Sequence, residues 1–261
     1  MARIENDFLK LRGSMGGMTF TQDEFGTIAK KKATDSKGPR EGTRRGNMEM
    51  GGGSMAAKDL RLALRLKKNG IKDQYFSGRL SGRMRKIVLL GTGMVGQRKL
   101  DIRKNGSLLE GFEFINARPL VYSVGGIKEK PSLNKERNEV RWSSPILNRK
   151  EQITAPEGAT HISFKLGAGT VSNYGYNVKK KKYVALEQGF KNISAISESE
   201  PLPLNKKIIA PVNLSVNLTG ASAIPEEVAV VTFVGVSFYK NVNGELLGIE
   251  NVGGMRVLGV C

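Results

Sequence analysis

The stretch EVAVVTFVGVSFYKNVNGELLGIE, residues 227–250, decides the fold class of this chain of 261 residues. From Val228 to Tyr239 it is apolar almost throughout and rich in β-branched and aromatic side chains, which predicts a central strand buried on both faces. Asn243 and Gly244 then carry the signal of a tight hairpin turn, because both tolerate positive φ. The stretch therefore predicts an antiparallel strand pair at the centre of a sheet.

Short β-like runs separated by turn signals surround this hairpin from residue 96 to the C-terminus. Their spacing predicts an antiparallel β-sandwich over residues 96–261, either immunoglobulin-like or jelly-roll-like. Asn105 and Gly106 predict a second tight hairpin. The other predicted strands lie in RKLDIRKNGSLL, GFEFINA, RPLVYSV, NEVRWSS, THISFKLGA, KKYVAL, KKIIAPVNLSVNL and MRVLGV.

The first 53 residues differ in composition and periodicity, and they predict an N-terminal hairpin followed by a basic extended arm. Residues 8–32 hold two short apolar runs around a polar break, which predicts a hairpin with its turn near residues 23–26. Residues 33–53 combine Gly, Pro and charge without periodicity, as in an arm that orders on a partner. A lone hairpin is marginal in water, so we expect it to pack on its own domain or on a neighbouring subunit.

Residues 54–95 show helical periodicity and predict a basic helical segment. A first helix is expected from Ser54, and a second over about residues 74–90. Gly78 and Gly82 lie four apart in the second helix, and we expect them to permit close helix packing. The predicted fold class is therefore α+β, mainly β, with a basic hairpin, an arm and a short helical pair ahead of the sandwich.

The charge of the chain is strongly basic and unevenly distributed. Its formal net charge is +18, with 24 basic and 10 acidic residues in 1–104 and 18 basic and 14 acidic residues in 105–261. Such an excess repels itself unless a polyanion or a negative surface compensates it. The opening residues have no apolar signal-peptide region, and no run approaches the roughly 18 apolar residues of a spanning helix. We therefore expect nucleic acid as the partner, and neither a membrane nor a signal peptide.

Cations in the arm and the helices are predicted to contact phosphates without reading base sequence. Five of them recur at spacings of three and four along the first helix, which places them on one face. A solvated face is the alternative. No Asn or Gln suited to reading base edges lies on the outer face, so RNA and DNA both remain candidates. The predicted nucleic-acid-binding residues are Arg40, Arg44, Arg45, Lys58, Arg61, Arg65, Lys68, Lys72, Arg79, Arg83 and Lys86.

Four consecutive lysines at residues 179–182 are flanked by Tyr174, Tyr176 and Tyr183. Basic residues next to aromatic ones suit single-stranded nucleic acid. Because no pattern places these aromatic rings on one face, a solvated loop that leads into a strand is the favoured interpretation.

Gly91, Gly93 and Gly96 in KIVLLGTGMVG have the GxGxxG spacing of a dinucleotide-binding turn. That turn requires a strand before it and a helix directly after it within a βαβ unit. Residues 86–90 instead continue the helical pattern, and no βαβ unit follows. We therefore expect a helix that ends in a glycine-rich connector, and no cofactor.

Catalytic constellations are scarce, because the chain contains one histidine, His161, and one cysteine, Cys261. Neither Cys-His chemistry nor a multi-histidine metal site is possible, and His161 is expected to be a satisfied polar residue at a strand start. We expect no catalytic residue, no metal, no small-molecule substrate and no enzyme activity. A single cysteine favours a reducing compartment, either the cytoplasm or a particle assembled there.

Several stretches together resemble an uncharacterised basic protein family of Bacteroidetes bacteria. They are KLRGSMGGMTFTQDEFGTIAKKK, AAKDLRLALR, SLLEGFEF, APEGATHISF and VSFYKNVNGELLGIE. The resemblance implies a glycine-rich hairpin, an Arg-bearing linker, basic helices and a β-rich end. No activity is established for the family, so the resemblance carries over no functional residue.

These observations predict a non-enzymatic, self-assembling, structural nucleic-acid-binding protein, such as the coat or nucleoprotein subunit of a filament or capsid. It would form a homo-oligomer and bind RNA or DNA independently of sequence. One alternative is a structural subunit of an extracellular fibre or injection-type apparatus that binds acidic protein partners. Another is an accessory protein that binds RNA or DNA without polymerising. A dinucleotide-dependent enzyme is the third.

Overall fold

The computed structural model describes residues 2–4, 11–23, 26–32, 38–64, 73–218, 223–250 and 252–261. The fold is mainly β, with antiparallel sheets and a curled half-barrel, which confirms the predicted predominance of antiparallel β structure. The chain divides into two compact units, Met1–Arg44 and Arg45–Cys261. The helical segment predicted over 54–95 therefore belongs to the same unit as the β-rich remainder.

The N-terminal unit contains one antiparallel sheet in the order β1-β4-β3-β2. Asp23 of β3 pairs with Gly26 of β4, which confirms the hairpin turn predicted near residues 23–26. A further tight turn joins β2 to β3 through Gly16 and Gly17, whose φ angles of 56° and 76° favour glycine. The strands are β1 (Ala2–Ile4), β2 (Gly13–Met15), β3 (Met18–Asp23) and β4 (Gly26–Lys31).

The helices are α1 (Glu41–Ala63), α2 (Phe76–Leu89), α3 (Leu120–Ser123) and α4 (Arg149–Gln152). The second predicted helix is confirmed by α2. The extended arm is wrong over residues 41–53, which form the first turns of α1. Glycine has low helix propensity, but packing outweighs it here, because Glu49, Gly52 and Gly53 are buried in tertiary contacts. Residues 33–37 of the predicted arm lie outside the described residues.

The C-terminal unit centres on a six-stranded sheet, in which β15 pairs with β8, β16 and β17, and β8 also pairs with β11 and β12. A three-stranded sheet has the order β14-β6-β5, and the pairs β9-β10 and β7-β13 complete the strands. Their bounds are β5 (Ser132–Leu133), β6 (Glu139–Ser143), β7 (Leu147–Asn148), β8 (His161–Ser172), β9 (Tyr174–Asn177), β10 (Lys182–Ala185), β11 (Ser194–Glu198), β12 (Leu202–Pro203), β13 (Ile208–Ile209), β14 (Asn213–Asn217), β15 (Val228–Val242), β16 (Glu245–Gly248) and β17 (Met255–Val260).

The predicted central hairpin is confirmed by β15 and β16. Val242 pairs with Glu245, and Asn243 and Gly244 between them have φ of 54° and 92°, as a two-residue turn requires. Successive side chains of β15 point to opposite faces of the sheet, and both faces are buried. Phe233 faces a cluster that α1 and α2 cover, the helix-side cluster, whereas Val234 faces a cluster under the three-stranded sheet, the sheet-side cluster.

The strands and hairpin predicted over residues 98–124 are wrong. Asn105 has φ of −108° and begins a 3-10 turn at Gly106–Leu109, and the segment predicted as RPLVYSV forms α3. Gly106 is buried where a side chain would overlap Val260, so tertiary packing overrides the local turn signal. The segment around residues 111–114 hydrogen-bonds along the outer edge of β17 and closes that edge of the sheet.

The glycines that bring α1 close to its neighbours are Gly52 and Gly53 rather than the predicted Gly78 and Gly82. A Cβ on Gly53 would lie 3.1 Å from the Arg85 amide nitrogen, so the two helices touch there. No atom of the described structure lies within 4 Å of where a Cβ would stand on Gly78 or Gly82. The packing role predicted for Gly78 and Gly82 is therefore wrong.

Replacing Gly82 by Ala is expected to raise the free energy of unfolding by about 0.5 to 1 kcal/mol, because alanine restricts the unfolded chain and meets no neighbour in α2. Urea denaturation measures the change. Gly52→Ala is the matched control with the opposite expected sign, since its Cβ would lie 2.5 Å from Tyr183 Cγ. A destabilised Gly82→Ala would contradict the assignment of an open position.

Candidate nucleic-acid interface

Three elements of the C-terminal unit lie side by side, with α1 between α2 and the β9–β10 hairpin. On one side, Arg61 of α1 donates a hydrogen bond to the Ser77 hydroxyl of α2. On the other side, the Tyr183 ring of β10 packs on the bare backbone of Gly52, and its hydroxyl donates to the Arg98 carbonyl at 2.9 Å. Burial raises the pKa of Tyr183 to about 12. The hairpin that carries lysines 179–182 is thus fixed beside α1.

Glu49, in the first half of α1, is buried and fully engaged by internal donors. Its carboxylate accepts hydrogen bonds from the Arg98 guanidinium at 2.7 Å to each oxygen and from the Gly96 amide at 2.8 Å. Burial by itself would raise the pKa of Glu49. The donors at Arg98 and Gly96 outweigh it, so the pKa lies below its ordinary value.

The other two carboxylates of residues 45–96 are also committed inside the fold. Asp73 binds Arg79 at 2.8 Å and accepts from two backbone amides. Burial opposes ionisation of Asp73, but these donors hold its pKa below the ordinary value. Asp59 accepts from the Tyr174 hydroxyl and pairs with Lys191 at 3.0 Å. All three carboxylates of residues 45–96 are therefore engaged, whereas the same segment contains eleven Lys and Arg residues.

Several cations on the three elements are exposed, and one of them, Arg85, also lowers the pKa of Glu49 through its charge. We call them the cationic surface. Within the described residues, none of them makes an ion pair. They are Lys58 of α1, Arg85 and Lys86 of α2, and Lys179, Lys180, Lys181 and Lys182 of the β9–β10 hairpin.

Two residues that were predicted to contact phosphates, Arg79 and Arg83, bind other groups of the protein. The Arg79 guanidinium lies 4.9 Å from the centre of the Phe112 ring, binds Asp73 and donates to the Phe114 carbonyl. Arg83 is half-buried and donates to the Leu108 carbonyl at 3.2 Å. Arg79 is therefore engaged inside the fold and Arg83 is partly so, and neither belongs to the cationic surface.

The remaining predicted residues have three different placements. Arg40 and Arg44 are exposed in the N-terminal unit, and Arg45 is exposed on α1. Of the five cations predicted along the first helix, Lys58 and Arg61 lie within the described residues. Arg65, Lys68 and Lys72 lie outside the described residues. Sequence reasoning omitted Arg85 and rejected the lysines at 179–182 as a site, although the run itself was visible.

The tyrosines that flank those lysines do not form a stacking platform. Tyr174 and Tyr183 are buried in the helix-side cluster, and Tyr176 packs edge-on against Tyr183 at 5.5 Å. The lysines lie in an exposed turn that leads into β10, as that interpretation predicts, and their role in binding is not decided by this placement. The lysines can therefore offer charge but no aromatic face to a nucleic acid.

The glycine-rich connector at residues 91–96 follows a helix, as expected, and not a strand. In the described segment after it, residues 97–105, no helix begins. The Gly96 amide, which a phosphate would need, is occupied by the Glu49 carboxylate. The geometry of a dinucleotide-binding turn is thus not present in this connector.

His161 lies at the start of β8, and its Nδ1 is 2.9 Å from the Thr160 hydroxyl. Across the described residues, no group of three or more His, Cys, Asp or Glu side chains is arranged to hold a metal ion. No helix in the described part of the chain is long and apolar enough to cross a membrane.

No protein-family model, no curated protein and no solved structure matches the chain. The resemblance to the Bacteroidetes family stays a prediction.

Proposed function

We propose that this protein is a non-enzymatic structural protein that binds the phosphate backbone of nucleic acid and assembles with copies of itself. The observation that carries the proposal is the separation of charge over residues 45–96 and the β9–β10 hairpin. Glu49, Asp59 and Asp73 are engaged by internal donors, whereas the cations of the cationic surface are exposed. An unneutralised, fixed array of cations favours a polyanion, because binding releases its condensed counterions.

The mechanism is electrostatic and independent of base sequence. The cationic surface spans three packed elements, so its charges are held at fixed spacings before the ligand arrives. Arg61, which is half-buried and bound to Ser77, and Arg83 lie at its margin and add positive potential. Contacts of this kind position a nucleic-acid backbone without selecting a base sequence.

Self-assembly is supported by the N-terminal sheet. Among its described side chains, Thr27 and Ala29 are the buried ones, which is little apolar burial for a four-stranded sheet. Its edge strand β2 is exposed throughout, and Met15 at its end is 71% exposed. A short exposed edge offers unpaired backbone groups to a strand of another subunit. We propose that neighbouring copies pair there.

We extend the proposal to the architecture of the C-terminal unit. The six-stranded and three-stranded sheets would act as the two layers of a β-sandwich of the type found in capsid proteins. The sheet-side cluster supports this, because Trp142 of β6 and Phe164 of β8 meet in it with ring centres 6.2 Å apart. In this scheme the protein works in the cytoplasm or in a particle assembled there.

Charge reversal on the cationic surface is expected to weaken nucleic-acid binding and to flatten its salt dependence. The variant combines Lys58→Glu, Lys86→Glu and Lys180→Glu, one on each element. If each lysine contacts a phosphate, the slope of log affinity against log salt falls by about 2 to 3 for duplex DNA. Fluorescence anisotropy of a labelled duplex and of a labelled RNA between about 50 and 200 mM salt measures this.

The matched control carries the same change of net charge at Lys128→Glu, Lys150→Glu and Lys207→Glu. These exposed lysines lie in segments next to the sheet-side cluster and outside α1, α2 and the β9–β10 hairpin. The control is expected to retain most of the slope, because only the general potential changes. If the salt slope fell equally in both variants, the cationic surface would not be the interface.

Electron microscopy of the purified full chain, with its ultraviolet absorbance before and after nuclease treatment, tests the assembly. Regular filaments or capsids that protect nucleic acid are the expected result. Assemblies free of nucleic acid would favour a fibre or injection-type apparatus with acidic protein partners. Monomers that bind nucleic acid would favour the accessory protein.

A further inference from the structure

The glycine-rich connector after α2 presents a compact group of exposed apolar side chains. Leu90 is 61% exposed, Met94 is 72% exposed and Val95 is 53% exposed. Scattered exposed apolar residues are ordinary, but here Leu90 at the end of α2 and Met94 and Val95 in the connector lie within six residues of one another. We call these three residues the connector tip.

The connector is held at its base and does not depend on the tip for its conformation. The Gln97 amide bonds the Met94 carbonyl at 2.8 Å, and the Lys99 amide bonds the Thr92 carbonyl at 2.8 Å. The Arg98 guanidinium also reaches the Leu89 carbonyl at 3.0 Å while it binds the Glu49 carboxylate. These bonds fix the backbone, so the tip is a rigid apolar projection.

Cations border this projection. Lys86 lies in the last turn of α2 and Arg85 precedes it, so the two cations are four residues ahead of Leu90 and Leu89 and share their sides of the helix end. On the other side, Gly96 packs against the Arg45 side chain. Gly91 lies so close to the Lys99 carbonyl that an added Cβ would come within 1.8 Å of its oxygen, so the connector is closely packed at its base. An exposed apolar projection beside cations suits a groove whose walls are anionic.

We propose that the connector tip is a wedge that enters the minor groove of duplex DNA, partly unstacks one base step and bends the duplex. The proposal rests on the nucleic-acid function proposed above and specifies its ligand. Leu and Met are among the side chains that architectural DNA-binding proteins insert between base steps, while flanking cations bind the backbone. Bending would bring more of the phosphate backbone onto the cationic surface.

Two other occupants fit the observations less well. The three side chains hold fewer apolar atoms than one myristoyl chain, which alone gives only marginal attachment to a bilayer. A second copy docked tip to tip would bring Arg85 and Lys86 of both copies together, whereas the self-assembly proposed above uses β2. Duplex DNA matches both the exposed apolar tip and the cations beside it.

The test is resonance energy transfer between dyes at the two ends of a duplex of about 30 base pairs with a central TA step, which kinks readily. The full chain is expected to bend it by about 20° to 90°. The variant Met94→Ser with Val95→Ser keeps every charge, so it is expected to keep salt-dependent binding, with a slope reduced by the phosphate contacts that bending adds, but to lose the bend and bind about tenfold more weakly. Met55→Ser, an exposed methionine on α1, is the control and is expected to bend as the parent does.

A duplex that the parent binds without bending, or an equal bend with the double variant, would overturn the wedge and leave backbone binding intact. No salt-dependent binding of duplex DNA or RNA by the parent would overturn the proposed function as well. A separate experiment measures binding to phosphatidylcholine–phosphatidylglycerol vesicles. Binding to them that depends on Met94 and Val95, without DNA bending, would assign the tip to a lipid surface.

Discussion

Replacing Glu49 by Gln is expected to lower the free energy of unfolding by about 3 kcal/mol. The side chain of Glu49 is 3% exposed and that of Arg98 is 19% exposed, so both charges are largely withdrawn from water. Gln retains the shape but not the charge, and it leaves the guanidinium without its anion. The same change loosens the hydrogen bond to the Gly96 amide and thus the base of the connector.

The effect is expected to depend on pH. Because the folded-state pKa of Glu49 lies below its ordinary value of 4.5, ionisation stabilises the folded chain. That contribution is complete above the ordinary value and is lost as pH falls through the folded-state pKa. The difference between parent and variant, measured by urea denaturation at several pH values, should be largest near neutrality and shrink in acid.

Glu110→Gln serves as the control for this prediction. Its partner, Lys130, lies at 2.7 Å but is 61% exposed, and exposed pairs contribute less than about 1 kcal/mol. If Glu49→Gln costs no more than Glu110→Gln, the Glu49 contacts do not anchor α1 to the connector.

Replacing Gly167 by Ala is expected to lower the free energy of unfolding by about 3 kcal/mol. Gly167 of β8 stands directly opposite Phe233 of β15, and the ring of Phe233 lies over it, so an added Cβ would overlap the ring. Phe233 is wholly buried and has no free space to move into, since its ring centre is 5.0 Å from that of Phe114. The overlap therefore strains the helix-side cluster.

A shorter side chain at position 233 should relieve this strain. In a Phe233→Leu background, Gly167→Ala is expected to cost less than about 1 kcal/mol, a non-additive result that marks direct contact. Gly248→Ala is the matched control, because Gly248 also stands opposite an aromatic residue of β15, Tyr239, but its Cβ would lie at an ordinary 3.9 Å. Chemical denaturation of all four variants measures the cycle, and strict additivity would show that the ring does not cover Gly167.

Some of the fold could be predicted because its signals are local. The β15–β16 hairpin depends on an apolar run and on Asn243 and Gly244, and α2 depends on helical periodicity within one segment. The prediction of strands over residues 98–124 also used local patterns, and it was wrong. There, Phe112 and Phe114 are buried in the helix-side cluster as parts of turns and isolated bridges, which periodicity does not distinguish from strands.

The candidate site could be predicted only in part. Arg79 and Lys86 both lie on the cationic side of α2 in the sequence pattern, yet Arg79 is bound by Asp73 and backbone carbonyls, whereas Lys86 is exposed. Their sequence spacing carries no information about those partners. The lysines at 179–182 were visible as a run, but their position beside α1 depends on Tyr183 and Gly52.

The sequence by itself determined the predominance of β structure, the β3–β4 and β15–β16 hairpins, the second helix and the basic excess, because each follows from neighbouring residues or from composition. Only the tertiary structure decided which cations remain exposed and where α1 begins. The physical reason is that an ion pair or a close backbone approach is made across the chain: Glu49 meets Arg98, and Gly52 meets Tyr183, only after the segments between them have folded.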